Sequence, residues 1–210
     1  MKIIAHRGND GIHKENSLEA IINSLNSKYT DGAEFDVRLT KDHKLIVNHD
    51  PFYNGNYISH TNVIKLQKSG LNTLEEILKN VHNNKILMIE IKVDDNNIKI
   101  MSKKLIGIIK KYNLNYYICS FNYKFIKYFK ENYNIKCGLI ISIKVNTKYL
   151  NNDFDFNSIN YLYNKNIPSK ETYRWTINNK NELDKIPKHA NIITDNFKQM
   201  YKLVKELEQS

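Results

Sequence analysis

The sequence predicts an α/β protein with a parallel (β/α)₈ barrel of the TIM type. Eight short apolar runs, each of strand length, recur along the chain. Segments with apolar residues at helical spacing separate most of these runs, and such alternation is typical of a parallel sheet covered by helices. The length of 210 residues lies near the lower end for an eight-fold barrel. We therefore expect a small barrel in which residues 1–210 form a single domain.

The predicted strands follow the apolar runs in chain order. They cover residues 2–6, 33–39, 86–93, 116–121, 136–142, 158–163, 173–178 and 191–195. Helices are expected to begin after Ser17 and after Thr73, because a hydroxyl side chain before an apolar-periodic run is a good N-cap. Further helices are predicted over 97–112 and 124–133, briefly around Leu183, and over 197–207.

Three connections depart from a regular barrel. Residues 143–157 and 164–172 are short and rich in Asn, Asp or Pro, so we expect shortened helices after strands five and six. Residues 44–48 are predicted to form a hairpin partner for the second strand. Only a short insertion, at about 51–73, precedes the helix capped by Thr73. A lid built from this insertion would be small.

The composition limits the partners of the protein. The formal net charge of +10 favours anionic partners. The lysines are scattered, however, and no Arg-rich stripe or RNA-binding motif is present, so we expect no nucleic-acid partner. No apolar run has the roughly 20 residues that span a bilayer, and none resembles a signal peptide. We expect a cytoplasmic protein without stable membrane association, and inert core thiols at Cys119 and Cys137.

Carboxylates on two of the strands predict a metal site. Side chains alternate along a strand, so Glu34 and Asp36 share one face of the second strand, and Glu90 and Lys92 share one face of the third. Three carboxylates on apolar strands would repel one another unless a cation lay between them, and oxygen ligands suit Ca²⁺ or Mg²⁺. The alternatives are an exposed strand edge for the first two residues and simple pairing of Lys92 with Glu90.

The candidate residues follow strand ends. In a barrel the carboxyl ends of all the strands meet at one rim, where the active sites of such barrels lie. The residues expected there are His6, Glu34, Asp36, His49, Glu90, Lys92, Ser120, Trp175 and Asp195. We therefore expect two histidines beside the metal site.

An ordered set of short motifs carries a family resemblance. The set comprises His6-Arg7-Gly8, Glu15-Asn16-Ser17, Glu34-x-Asp36, Thr40-x-Asp42, His49-Asp50 and Glu90-x-Lys92, followed by Thr73-Leu-Glu-Glu, Ser120-Phe121, Trp175-Thr-Ile-Asn and Ile193-Thr194-Asp195. In order and spacing, over nearly the whole chain, it resembles the glycerophosphodiester phosphodiesterases. The resemblance implies metal-dependent hydrolysis of a glycerophosphodiester to glycerol 3-phosphate and an alcohol, with attack possible by the substrate's own glycerol hydroxyl through a cyclic phosphate.

The resemblance also implies roles for individual residues. His6 and His49 would be the catalytic acid and base, and one Ca²⁺ or Mg²⁺ would be held by Glu34, Asp36 and Glu90. Binding of phosphate or substrate is expected of four residues: Arg7, Lys92, Asn16 and Trp175. The alternative role for Asn16 is that of a helix cap, which explains its position nearly as well as substrate binding does. The alternative for Trp175, weighed equally, is that its ring closes the mouth of the barrel. Asp195 is expected to fix the loop after strand eight, and Asp50 to anchor the turn that aims His49.

Two other functions stay open at this point. One is a lysophospholipase D or a sphingomyelinase-D-like phospholipase on the same barrel. The use of Glu90, where the sphingomyelinase-type branch is expected to have an aspartate, favours the glycerophosphodiesterase instead. The other is a non-catalytic phosphate-binding protein, which has no use for two titrating histidines beside a metal. We expect a small-molecule phosphodiester as the substrate, and the sequence does not indicate an oligomeric state.

Overall fold

The computed structural model of the chain describes residues 1–143, 153–163 and 171–209. The strands in these residues are β1 (Ile3–Ala5), β2 (Gly32–Leu39), β3 (Leu45–Val47), β4 (Phe52–Tyr53), β5 (Asn56–Tyr57), β6 (Ile86–Lys92), β7 (Asn115–Ser120), β8 (Cys137–Ile141), β9 (Phe156–Asn160), β10 (Thr172–Trp175) and β11 (Asn191–Thr194). The helices are α1 (Leu18–Asn26), α2 (Val63–Lys68), α3 (Leu74–Lys79), α4 (Ile98–Ile109), α5 (Tyr123–Asn132), α6 (Lys180–Leu183) and α7 (Phe197–Gln209).

Eight parallel strands close into a barrel, as predicted. Their order around the barrel is β1, β2, β6, β7, β8, β9, β10 and β11, and β11 pairs with β1 to complete the ring. The short strand β3 adds to β2 in the antiparallel direction, as expected for the hairpin. The first and last strands of the chain are therefore neighbours, and residues distant in sequence meet at the rim.

Local sequence fixes the starts of the two helices whose caps were predicted. The Ser17 hydroxyl accepts a hydrogen bond from the backbone N–H of Ala20 at 3.2 Å. At α3, Thr73 and Glu76 form a reciprocal capping box. Both caps satisfy backbone N–H groups that the first helical turn leaves without partners.

The hydrophobic core has two layers. The larger layer lies between the strands and the surrounding helices, whose apolar stripes face inward. The second fills the barrel interior, where the rings of Tyr117, Phe156 and Tyr173 lie with centroids 5.4–6.2 Å apart. Gly138 makes room for this packing, since a Cβ atom there would stand 2.5 Å from the Phe156 ring. The barrel interior below the carboxyl rim is thus filled with packed side chains.

Three details differ from the sequence prediction or lie beyond it. The sixth barrel strand begins at Phe156 instead of residue 158, because the buried Phe156 belongs to the interior layer. The insertion at 51–73 contains the hairpin of β4 and β5 and the helix α2, none of which was predicted. Much of the two connections expected to hold shortened helices, residues 144–152 and 164–170, lies outside the described residues.

The remaining predictions concern the cysteines and the membrane. Cys119 and Cys137 are buried free thiols, as expected for core residues. Among the described residues no helix combines the length and the apolar content that crossing a membrane requires.

Candidate active site

The candidate site is built on neighbouring strands, and their register determines which side chains meet. β2 and β6 pair so that Asp36 lies opposite Glu90 and Arg38 lies opposite Lys92. Glu34 lies two residues before Asp36 on the same face of β2. Parallel pairing therefore brings the three predicted metal ligands together at the carboxyl ends of the strands.

The three carboxylates form a compact acidic cluster. One ligand oxygen each from Glu34, Asp36 and Glu90 lies within 4.8 Å of the others, and all three residues are buried. Burial raises the pKa of Glu34 well above its usual range, and the charge of Asp36 raises it further. The pKa of Glu90 is raised by the same two causes. Such a cluster favours either bound protons or a cation that replaces them.

The oxygen donors of the cluster fit a hard divalent cation. Asp36 Oδ1 and Glu90 Oε1 are buried and accept no well-formed hydrogen bond from the described residues. Their charge is partly balanced by the Lys92 ammonium group, which lies 3.1 Å from Asp36 Oδ1 and also contacts Glu90. The Arg7 guanidinium lies 3.8 Å from Asp36, so three buried carboxylates face two cations. Oxygen ligands of this kind suit Ca²⁺ or Mg²⁺.

The orientation of His6 is fixed by Asp195, a residue distant in sequence. Its Nδ1 lies 2.7 Å from Asp195 Oδ1, and its Nε2 lies 4.0 Å from Glu34 Oε2. Asn178 donates its amide to the other oxygen of Asp195 at 2.8 Å. Burial lowers the pKa of His6, but the hydrogen bond to Asp195 and the charge of Glu34 outweigh this, so the pKa is raised. Because Asp195 is bound to Nδ1, Nε2 is the nitrogen available for proton exchange.

His49 has an equivalent partner in a more open place. Its Nδ1 lies 2.9 Å from Asp50 Oδ1, which again leaves Nε2 for proton exchange. Its backbone carbonyl accepts hydrogen bonds from Nε and Nη2 of Arg38, at 2.8 and 2.6 Å. The predicted role of Asp50, to anchor the turn that aims His49, agrees with this geometry.

Arg7 is positioned by an unusual backbone turn. It follows His6 in a 3₁₀ turn with φ of 52°, and its N–H donates to Glu34 Oε2 at 2.9 Å. Gly8 continues the turn with φ of 64°, and a Cβ atom there would stand 2.7 Å from Ile21. The close approach of α1 therefore requires glycine. The Arg7 guanidinium reaches Glu15 at 2.8 Å and lies 3.8 Å from Asp36.

A cavity of about 210 Å³ joins most of these groups. Its polar wall contains His6, Arg7, Glu34, His49, Glu90 and Lys92. Its apolar wall includes Met88 and Trp175, and the Trp175 ring meets the Phe121 ring edge-on with centroids 5.9 Å apart. A small molecule with one charged end and one carbon-rich end fits this division.

Asn16 differs from its predicted placement. It is buried behind Asp36, with its Nδ2 2.9 Å from Asp36 Oδ2 and its Oδ1 accepting from the Asp36 backbone N–H at 3.0 Å. It does not line the cavity, and Ser17 rather than Asn16 caps α1. Asn16 has a left-handed backbone with φ of 59°, and its contacts orient Asp36 of the acidic cluster.

Two residues make contacts at the site that the sequence analysis did not predict. Asp195 was expected to fix the loop after the last strand, and it does bind Asn178, but its contact with His6 was not foreseen. Arg38 was not singled out, although alternation along the strand from Asp36 gave a signal for it. Asp195 meets His6 only because the barrel closes, which motif spacing does not reveal.

Fold and site together define a (β/α)₈ barrel with a cluster of carboxylates and histidines at its carboxyl rim. Residues 6–63 match the model of the glycerophosphoryl diester phosphodiesterase family. Over 153 residues the chain is 30% identical to YhdW of Bacillus subtilis (strain 168), which carries the name of the same family. This match covers 63% of the chain and 62% of that relative.

Solved structures share the fold along the whole chain. A glycerophosphodiester phosphodiesterase from Thermotoga maritima superposes with a TM-score of 0.77 at 23% identity, covering 97% of this chain and 98% of the other. A phosphodiesterase from Oleispira antarctica, in complex with the product sn-glycerol 3-phosphate, gives a TM-score of 0.77 at 18% identity, with 98% and 97% covered. The chain is thus similar to glycerophosphodiester phosphodiesterases over part of its sequence and shares their fold, and it spans about 62% of the length of the curated relative from Bacillus subtilis.

Proposed function

We propose that the protein hydrolyses glycerophosphodiesters to glycerol 3-phosphate and an alcohol, and that a divalent metal ion is required. The observation that carries this proposal is the pair of histidines at one cavity. Each has an aspartate on Nδ1 and its Nε2 left for proton exchange, and the same cavity wall holds Glu34, Glu90 and Lys92. The residues invoked all lie on one barrel, in keeping with a single catalytic domain.

Two cations would bind the phosphate. Lys92 lies in the cavity wall next to the acidic cluster, and Arg7 lies in the wall beside His6. Charge-assisted hydrogen bonds from these groups would hold the phosphate oxygens and stabilise the negative charge that grows during displacement. A metal ion, Ca²⁺ or Mg²⁺, would be held by Glu34, Asp36 and Glu90. When bound, it supplies further neutralisation of that charge.

The histidines would move the protons. A neutral imidazole removes the proton from the attacking hydroxyl, and a protonated one delivers a proton to the leaving alkoxide. The raised pKa of His6 keeps it protonated to a higher pH than an ordinary histidine. Trp175 would pack against the glycerol carbons, because it lies in the apolar wall of the same cavity.

The test is ³¹P NMR of the purified protein with three substrates: glycerophosphocholine, glycerophosphoethanolamine and lysophosphatidylcholine. Each is incubated with Ca²⁺, with Mg²⁺ and with excess chelator. We expect a glycerol 3-phosphate resonance from the first two diesters that the chelator abolishes. Faster cleavage of lysophosphatidylcholine would identify a phospholipase instead. An unchanged spectrum with either metal would contradict the proposal.

A matched pair of variants controls the assay. His6→Ala removes a histidine in the cavity wall, whereas His189→Ala removes an exposed histidine just before β11, at the opposite end of the barrel. Activity should be lost in the first variant and kept in the second. Equal activity of the two variants would show that the phosphodiesterase signal does not arise at this site.

A further inference from the structure

A second, larger cavity lies beside the candidate active site. Its volume is about 610 Å³, against about 210 Å³ for the cavity that holds the histidines. The two cavities share three wall residues, Glu90, Lys92 and Phe121. The outer wall of the larger cavity comes from the ends of β2, β6 and β7 and from the insertion after β3.

We infer that this larger cavity receives the alcohol part of the diester and selects alcohols that carry a negative charge. The inference rests on the proposed function. Lys92 lies in both walls, so a phosphate held there would direct its two ester groups into two different cavities. The smaller cavity has the apolar surface for glycerol, and the larger one is left for the alcohol.

The strand register places a layer of cations above the layer of carboxylates. Asp36 and Glu90 are opposite one another on β2 and β6, and one alternation further along lie Arg38 and Lys92. The charge of Lys92 is already partly neutralised, because its ammonium group pairs with both carboxylates below it. Arg38 is the other member of this cation layer and faces the larger cavity.

Arg38 is a partly buried cation without a direct ion-pair partner among the described residues. Within the described residues no carboxylate oxygen lies within 4.0 Å of its guanidinium, whereas Arg7 has such a partner in Glu15. Nε and Nη2 of Arg38 are turned to the carbonyl of His49. A carbonyl dipole orients the guanidinium but does not neutralise it, and the group is only half-exposed. Burial lowers the pKa of Arg38 although Asp36, Glu90 and Asp50 act on it from a distance, so an anion in direct contact within the cavity would stabilise its charge.

Lys41 adds to the same wall a second cation without an ion-pair partner among the described residues. It is exposed, and it forms no ion pair with any described residue. The one further carboxylate of the wall, Asp94, accepts hydrogen bonds from the backbone N–H groups of Asn96 and Asn97 and from the Asn97 amide. With Glu90 paired to Lys92, the wall has a net positive charge.

The same wall favours an anionic alcohol over a cationic one. Quaternary ammonium groups are bound by aromatic faces. The aromatic ring here is Phe121, and the Lys92 ammonium already lies 5.7 Å from its centroid. A choline group at Phe121 would meet a like charge. Charge therefore separates anionic from cationic alcohols at this cavity.

The test compares two substrates that differ by one carboxylate, glycerophosphoserine and glycerophosphoethanolamine. The quantity measured is the ratio of their kcat/KM values, with the metal that supports activity. We expect the wild-type ratio to favour glycerophosphoserine by about fivefold, the upper end for one exposed ion pair. Raising the salt concentration should lower the ratio, because salt screens the attraction.

Variants assign the selectivity to the cavity. Lys41→Met should reduce the ratio by about twofold or more, and Lys41→Glu should reduce it further, because the charge is reversed. Lys188→Met is the matched control, since Lys188 is exposed just before β11 at the other end of the barrel. It removes the same charge from the protein as a whole and should leave the ratio unchanged.

The outcomes separate this inference from the proposed function. Hydrolysis of both diesters with a wild-type ratio at or below one would overturn the selectivity and leave the phosphodiesterase intact. An equal drop in Lys41→Met and Lys188→Met would reduce the effect to overall charge and would also overturn it. Hydrolysis of neither diester would remove the proposed function and this inference with it.

Discussion

The two histidines of the cavity have the same type of partner in opposite surroundings. His6 has a side chain 23% exposed and binds Asp195, which Asn178 holds in turn. His49 has a side chain 37% exposed, and its partner Asp50 is the next residue in the chain and is 62% exposed. The orientation of His6 therefore depends on barrel closure, whereas that of His49 depends on a local turn and on Arg38.

This difference indicates in which surroundings a carboxylate most strongly stabilises the orientation and the charge of a histidine. A hydrogen bond in a half-buried place, supported by a further donor, is weakened little by solvent. An exposed ion pair is screened and contributes about 0–1 kcal/mol. We therefore expect the two histidines to be similarly important, and their two aspartates to be unequal.

The largest effect is expected from removing either imidazole. His6→Ala and His49→Ala should each lower kcat by about 10² or more, because general acid–base catalysis contributes roughly that factor. Steady-state kinetics with glycerophosphoethanolamine measures it, and circular dichroism should show an unchanged fold. Normal turnover in either variant would remove that histidine from the mechanism.

Replacing the two aspartates should affect activity to different extents. Asp195→Asn weakens a charged hydrogen bond of about 1.5–3 kcal/mol, which corresponds to a loss of about 10- to 150-fold in kcat. Asp50→Asn should cost less than about fivefold, because the pair is exposed. Loss of the Asp195 charge should also lower the pKa of His6 and move the corresponding limb of the pH–rate profile to lower pH. Equal losses without such a shift would contradict the comparison.

A third variant tests the carboxylate cluster beside His6. Glu34→Gln removes one oxygen anion of the proposed metal set, and we expect the metal concentration for half-maximal activity to rise about tenfold or more. Glu15→Gln is the control, because Glu15 pairs with Arg7 outside the acidic cluster. An unchanged metal requirement in Glu34→Gln would exclude Glu34 from the ligand set.

The smallest effect concerns stability in the presence of chelator. Burial and Asp36 raise the pKa of Glu34 in the folded protein, so the folded state retains a proton that the unfolded chain releases above about pH 4.3. Stability from this group is present at low pH and is lost as the pH rises towards the raised pKa. Thermal unfolding from pH 5 to 8 should show this decline, which Glu34→Gln should reduce. Equal slopes in wild type and variant would contradict the assignment.

Much of the fold could be predicted from the sequence, because most barrel strands, such as β6 and β8, are compact apolar runs. Ser17 and Thr73 gave helix starts through local chemistry that needs no tertiary context. The hairpin of β4 and β5 was missed because strands of two residues have no readable periodicity. The early start of β9 depends on Phe156, whose burial is decided by packing across the barrel.

For the candidate site, alternation along β2 and β6 was enough to bring the acidic cluster together. The hydrogen-bond partners of the individual side chains could not be predicted from alternation. Asn16 lies behind Asp36 in a left-handed backbone conformation, which the sequence pattern does not reveal. Asp195 and His6 are 189 positions apart, and no local pattern links residues at that separation.

The bond between His6 and Asp195 also sets an order of events during synthesis. The imidazole leaves the ribosome before its carboxylate partner, which emerges almost 190 residues later. At roughly 5–20 residues per second, about 10–40 seconds separate the two. A nascent chain can gather its acidic cluster from β2 and β6 during that interval, but it aligns His6 only after β11 has joined β1. The His6–Asp195 contact therefore forms only when the barrel is complete.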